Sequence, residues 1–271
     1  MAELDLDKRI QRELDRVTGK WWLYVLLLLL FFVPPYVATG YGSADSMELI
    51  NKVLLDPLIY ALPALMPIAK AIPVILIVAV LVLGNRVRRL FNGYVALLYV
   101  ALACFQTTAF TDEYGFVLLS GNLAIVLAVA LSWVWEVLAE KNDFERRKWP
   151  LSKWWVAPLA LLALLGPVDA STMSPDFSPM RLLTSESGLT YCMMTPVILA
   201  VLTLYYPAVN LAVLRVTGFV GVLFGLVNLV TWFALESSTW WMGVLHIPLA
   251  AISIYALVLA YRREQNMVPS G

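Results

Sequence analysis

The side chains able to do chemistry in this sequence are few, and the sharpest of them sit inside apolar runs. Lys70 stands among Pro63, Pro67 and Pro73 in one run; Gln106, Asn122, Asn228 and His246 are set in others, and Tyr191 and Cys192 open a further one. A charge near a bilayer centre costs about 2.5–3.5 kcal/mol on insertion scales, so an ammonium there faces a cavity or a partner. The alternative is a lysine near the surface, whose head reaches water along its own aliphatic stem. The remaining groups either bond between helices, at about 0.6–2 kcal/mol each, or line a solute site. Lys70, Gln106, Asn122, Tyr191, Cys192, Asn228 and His246 are therefore the candidate substrate-binding residues.

Other chemistries fit less well. His246 is the only histidine, which excludes zinc sites that need two or three imidazoles. Met173, Met180, Cys192, Met193 and Met194 gather soft sulfur of the kind that holds Cu(I). Their spacing repeats no ligand motif, and adaptable apolar filler is the better reading. There is no GxSxG, phosphate-binding glycine loop, dinucleotide fingerprint or haem-attachment motif. The sequence assigns no catalytic residue, no metal and no cofactor. Nineteen Lys and Arg balance nineteen Asp and Glu, so no nucleic-acid partner is indicated.

These side chains must be positioned by elements that live in lipid. Apolar residues make up 61% of the 271 positions, against about 45–50% in a soluble domain. In lipid each backbone N–H and C=O must pair within its own segment, so apolar runs of about 20 residues predict helices. The runs are 21–39, 58–84, 93–111, 116–139, 154–168, 189–206, 211–234 and 243–261, an all-α transmembrane bundle of about eight spans. The prolines around Lys70 predict a broken second span, or a re-entrant segment leading into a shorter one. Glu136, near the end of the fourth run, is expected to pair with Arg88 or Arg89.

Lys and Arg are retained on the cytoplasmic side. With the N-terminus inside, all of them but Lys52, Lys70 and Arg181 fall on that side. Both termini are thus expected in the cytoplasm, in a plasma (cell) membrane.

The chain also resembles itself. Pro73-Val74-Ile75-Leu76 recurs as Pro196-Val197-Ile198-Leu199, Gly93-Tyr94-Val95 as Gly218-Phe219-Val220, and Lys20-Trp21-Trp22 as Lys153-Trp154-Trp155. Two four-span repeats, 20–142 and 153–266, follow, flanked by a cytoplasmic segment 1–19 and a tail 267–271 and joined by a cytoplasmic linker 143–152. An even number of spans makes the repeats parallel, related about the membrane normal, with a cleft between them.

The first functional reading is a permease-like protein that binds or moves a small neutral or weakly polar solute between its four-helix halves. A second is a membrane anchor or assembly subunit beside a partner membrane subunit; a third is an intramembrane enzyme using Lys70, His246 or Cys192. Beyond the lipid bilayer, the expected partners are a small-molecule ligand or that subunit. The orientation is tested with cysteines introduced singly at Ser174, Ser238 and Asn266. An impermeant thiol reagent should label the first two on intact cells, and Asn266→Cys only after permeabilisation.

Overall fold

The computed structural model describes residues 2–39, 46–61, 63–169 and 171–267, so the tail 268–271 lies outside the described residues. The protein is mostly helical (76%). Four helical stretches are long and apolar enough to cross a membrane, or five if Pro179–Leu189 and Tyr191–Tyr205, bent by 86° to each other, count as one. These mark the chain as a membrane protein.

In chain order the helices are α1 (Ala2–Thr18), α2 (Trp21–Leu30), α3 (Ser46–Leu55), α4 (Met66–Leu83), α5 (Arg88–Ala101), α6 (Ser120–Ala139), α7 (Val156–Leu165), α8 (Pro179–Thr184), α9 (Tyr191–Tyr205), α10 (Leu211–Val230) and α11 (Trp240–Met267). Both α5 and α10 run into a π-helical turn, Leu102–Gln106 and Thr231–Leu235.

Several apolar runs are shorter as helices than their length in sequence. The run 21–39 holds a helix of only 10 residues, about 15 Å long. It stops before Pro34-Pro35, since proline lacks the N–H and disfavours helix in the residue before it. The run 154–168 likewise holds 10 helical residues and ends at Gly166, which adopts the left-handed conformation that stops a helix. In the second run, 3-10 turns at Leu58–Tyr60 and Pro63–Leu65 precede a helix that continues through Pro73.

An expected all-α chain also contains a small antiparallel sheet, a correction to that reading. Strands β1 (Tyr36–Val37), β2 (Thr108–Thr111) and β3 (Gly115–Leu118) pair in the order β1-β3-β2, with Phe110 opposite Phe116. Thr, Phe and Val around Asp112-Glu113-Tyr114-Gly115 form a hairpin sequence, and high hydropathy hid it inside two predicted spans. Leu49 and Val53 of α3 pack on Ala109, Tyr114 and Val117, and Lys52 bonds Glu113 at 2.7 Å. This assembly caps one end of the bundle, here called the hairpin end.

The 44-residue stretch Pro63–Gln106 would measure about 66 Å if straight. Yet Gly188 packs on Ala69 and Lys70 at one end, and the Tyr191 amide donates to Gln106 Oε1 at the other (2.9 Å). Both ends therefore lie near residues 188–191, and the chain turns back at Gly84. There φ is +58°, and an added Cβ would stand 3.0 Å from Phe144 O.

Helix pairing follows small residues, because lipid-exposed apolar surface supplies little drive for association. The most extensively packed pair is α10 with α11. Along α10, Gly218 meets Leu257, Gly221 meets Ser253 and Gly225 meets Ala250. Between the first and second halves of the chain, Trp133 Nε1 donates to Thr217 Oγ1 and Tyr99 OH to Thr195 Oγ1, each at 3.1 Å, and Tyr99 lies over Trp133. All four are buried, so this plane is filled by side chains.

Gly225→Ala should lower the thermal midpoint in detergent by the equivalent of about 1–3 kcal/mol, because the new methyl falls 2.9 Å from the Ala250 backbone. Gly93→Ala meets nothing within 4 Å and should be neutral or gain up to about 1 kcal/mol. A thermal-shift series on the two variants measures both.

Candidate functional site

At the hairpin end, part of the predicted polar set comes together. Gln106, on the π-turn after α5, accepts the amide of Tyr191, the first residue of α9. That amide is one of the orphan donors of a helix N-terminus, so Gln106 acts as a cap supplied from another helix. The Tyr191 ring packs between Tyr99 (5.7 Å) and Phe224 (5.2 Å). Next in chain, Cys192 Sγ lies 3.9 Å from Asn228 Nδ2. Asn228 donates at 2.9 Å to Phe224 O in its own helix and accepts from Trp232 Nε1 on the second π-turn (3.1 Å). Tyr60 OH pairs with Thr190 Oγ1 at 2.7 Å.

Lys70 sits beside this cluster with a different task. Its ammonium is buried and donates to Leu165 O (2.7 Å) and Leu182 O (2.6 Å). Leu165 is the last residue of α7, where carbonyls lose their helical partners and the macrodipole is negative. Ser185 Oγ adds a bond to the same carbonyl (3.1 Å), and Ser187 Oγ bonds Leu164 O (2.6 Å). Lys70 is thus the cationic part of a helix C-cap assembled from distant residues.

The rest of the predicted set stays apart. His246 is buried, with Nδ1 at 2.7 Å from Met242 O in the preceding turn. Asn122, half-buried on α6, has no side-chain hydrogen bond among the described residues. Lys70, Cys192 and His246 each bond elsewhere and not to one another. Met193 and Met194 are buried in the core while Met180 is exposed. Among the described residues no group of three or more His, Cys, Asp or Glu could hold a metal ion.

The opposite, basic end holds a network that the sequence reading missed. Glu136 is fully buried, and its Oε1 accepts from the Asn142 backbone amide (2.7 Å) and Asn92 Nδ2 (3.2 Å). Its Oε2 accepts from Asn210 Nδ2 (2.7 Å). Asn142 Nδ2 bonds Asn92, and Asn142 Oδ1 accepts the Asn210 amide. Gln11 of α1 joins by bonding Asn210 Oδ1 (3.1 Å) and accepting from Trp135 Nε1 (2.8 Å). The expected Glu136–arginine pair is therefore corrected: Arg88 and Arg89 both bond Glu140, whose left-handed backbone turns the carboxylate toward them. Three amide N–H groups replace a cation at Glu136, which keeps a buried carboxylate hydrogen-bonded without a second buried charge. The recurrence of Asn at or just beyond the ends of apolar runs, at Asn92, Asn142 and Asn210, was the available signal.

The segment after α6 is built into this end. Phe144 is fully buried against Phe91 and Tyr205, and its amide donates to Asn85 Oδ1. Burial works against the Asp143 carboxylate, but the Glu145 amide, Asn85 and Arg147 outweigh it and hold that group below the usual carboxylate range. In the loop after α7, hydrogen bonds from Ser171 and Thr172, with Arg181, hold Asp169 well below that range.

Two clefts among the described residues lie away from the predicted site. One, of about 460 Å³, is an apolar groove on α10 and α11 bordered by Tyr261 and Arg262. The other, of about 420 Å³, lies between α1 and the end of α6.

Compared with known protein families, curated proteins and solved structures, the chain matches none.

Lys70→Met should destabilise the protein, although it removes a buried charge. It leaves Leu182 O without its donor and weakens the α7 cap, at about 1–3 kcal/mol. Lys70→Arg should recover part of the loss. Thermal midpoints of the two variants in one detergent test the order.

Proposed function

We propose that this protein is a membrane-embedded anchor or assembly subunit whose working surface is formed by α1 and the 140–150 segment at the basic end. One observation carries the reading: the polar side chains Lys70, Gln106, Asn228 and His246 are spent on backbone groups within the bundle, whereas the Glu136 network fixes α1 and Asn142 rigidly to it. Buried polar networks of this kind specify one arrangement of the elements they join. The basic residues gathered at this end support a cytoplasmic position for it by the positive-inside rule, with the hairpin end outside. A partner membrane subunit would meet an α1 whose orientation is already set.

The second reading, a permease-like carrier of eight spans in a parallel 4+4 repeat, has its own support. Each half orders its elements alike: a short apolar helix, a short helix with 3-10 turns, a helix with an internal proline, a helix ending in a π-turn, and a last long helix. The two π-turns flank Gln106, Tyr191, Cys192 and Asn228, and such turns often mark functional positions. On this reading the present arrangement is a closed state, and a solute enters beside Cys192.

Cys192 separates the readings. In a Cys104→Ser background, a carrier that opens should expose Cys192 to an impermeant thiol reagent on intact cells, and an assembly subunit should leave it unlabelled. A partner recovered in fixed stoichiometry from native membranes should be released by reversing the exposed charges of α1, D7K/R9E. Retention of that partner by the variant would remove α1 from the interface.

A further inference from the structure

The cleft of about 420 Å³ at the basic end is lined by Lys8, Arg12 and Lys141 around the buried amide of Gln11. Among the described residues no carboxylate lines it, and none of its three cations is in an ion pair. Three nearby acidic groups are engaged elsewhere: Glu13 pairs with Arg16, Glu140 with Arg88 and Arg89, and Asp15 receives the Gln11 amide. Lys8 and Arg12 stand four apart on one helix, a like-charge spacing that opposes helix stability unless an anion lies between them.

The level of the cleft is set by the elements around it. Lys141 follows the end of α6, and Asn210, bonded to Gln11, caps the start of α10. Both mark where the apolar bundle stops. Trp21 and Trp22, exposed at the start of α2 beside α1, sit in the sequence position of interface anchors. On α6, which ends two residues before Lys141, Leu131, Val134 and Leu138 are exposed and spaced three and four apart on one face. An apolar stripe that leads into a cationic cleft has the chemistry of an acidic phospholipid, acyl chain on the stripe and phosphate in the cleft.

We propose that Lys8, Arg12 and Lys141 bind the phosphate headgroup of an anionic phospholipid, whose chain lies along Leu131, Val134 and Leu138. Gln11 forms the floor, held by Asn210 and Trp135, so the cleft is shaped before the lipid arrives. The inference does not depend on whether the bundle anchors a partner or carries a solute.

The test uses the full chain in nanodiscs of phosphatidylcholine doped with dioleoylphosphatidylglycerol, with native mass spectrometry counting retained lipid after transfer to detergent. K8Q/R12Q/K141Q should weaken phosphatidylglycerol retention about a hundredfold. The control R9Q/K20Q/K148Q removes the same charge from positions at the same end that do not line the cleft, and should stay close to wild type. Leu138→Asn should also reduce retention, since it interrupts the apolar stripe without touching the cations. Equal losses in the two triple variants would mean diffuse attraction and overturn the site. So would undiminished retention in K8Q/R12Q/K141Q, or full displacement of the lipid by millimolar inorganic phosphate, which would assign the cleft to a soluble anion. Circular dichroism of each variant separates lost binding from lost folding.

Discussion

A helix that ends inside a low-dielectric layer leaves carbonyls that water cannot reach, and much of this protein is arranged to supply their partners. Lys70 and Ser185 close the end of α7, with Ser187 on the carbonyl before it. Lys153 does the same for α9, donating to Thr203 O, Leu204 O and Tyr206 O. In each case an ammonium meets the negative end of a helix, so one contact satisfies the cation and the orphan acceptors together. The price of a short helix such as α7 is met by residues far away in sequence. This ties α4, α7, α8 and the turn before α9 into one body.

The basic end adds a second solution to that constraint. Beside the Lys153 cap of α9, side-chain and backbone amides organise the groups around Glu136. The amide network leaves the arginines free to pair with Glu140 at the surface, where their charges cost little desolvation. Between the ends, glycines let α10 and α11 approach closely, and Tyr99 and Trp133 fill the plane between the halves.

Membrane character and the rough position of the apolar helices were legible in hydropathy, because the solvent imposes that pattern on every lipid-facing residue. The same uniformity hid the hairpin: Thr108–Thr111 and Gly115–Leu118 adjoin long apolar runs and merge into them, and Val and Ile are as frequent in the helices as in these strands. Helix length was also obscured, since a run of apolar residues does not say where Pro34 or Gly166 will stop the turn. Of the predicted site, the sequence marked unusual residues without showing their contacts. A buried lysine looks the same in sequence whether it meets a ligand or the carbonyl of Leu165, and that difference lies in a contact across 95 residues. The Gly221-x-x-x-Gly225 spacing was present to be read as a close helix contact. Gln11 was out of reach, because a single amide on a charged helix carries no mark of burial.

The reach of the Lys70 contacts has a consequence for how the chain is made. Its two acceptors lie 95 and 112 residues downstream. At roughly 5–20 residues per second of synthesis, the ammonium waits on the order of 5–20 s after it leaves the ribosome before Leu165 and Leu182 exist. Throughout that interval α4 carries a charge with no native acceptor, and settling it fully at membrane depth would be costly. Its final placement is therefore a late event of biogenesis, completed from the C-terminal half, and the insertion machinery must hold a half-made chain until the second half arrives.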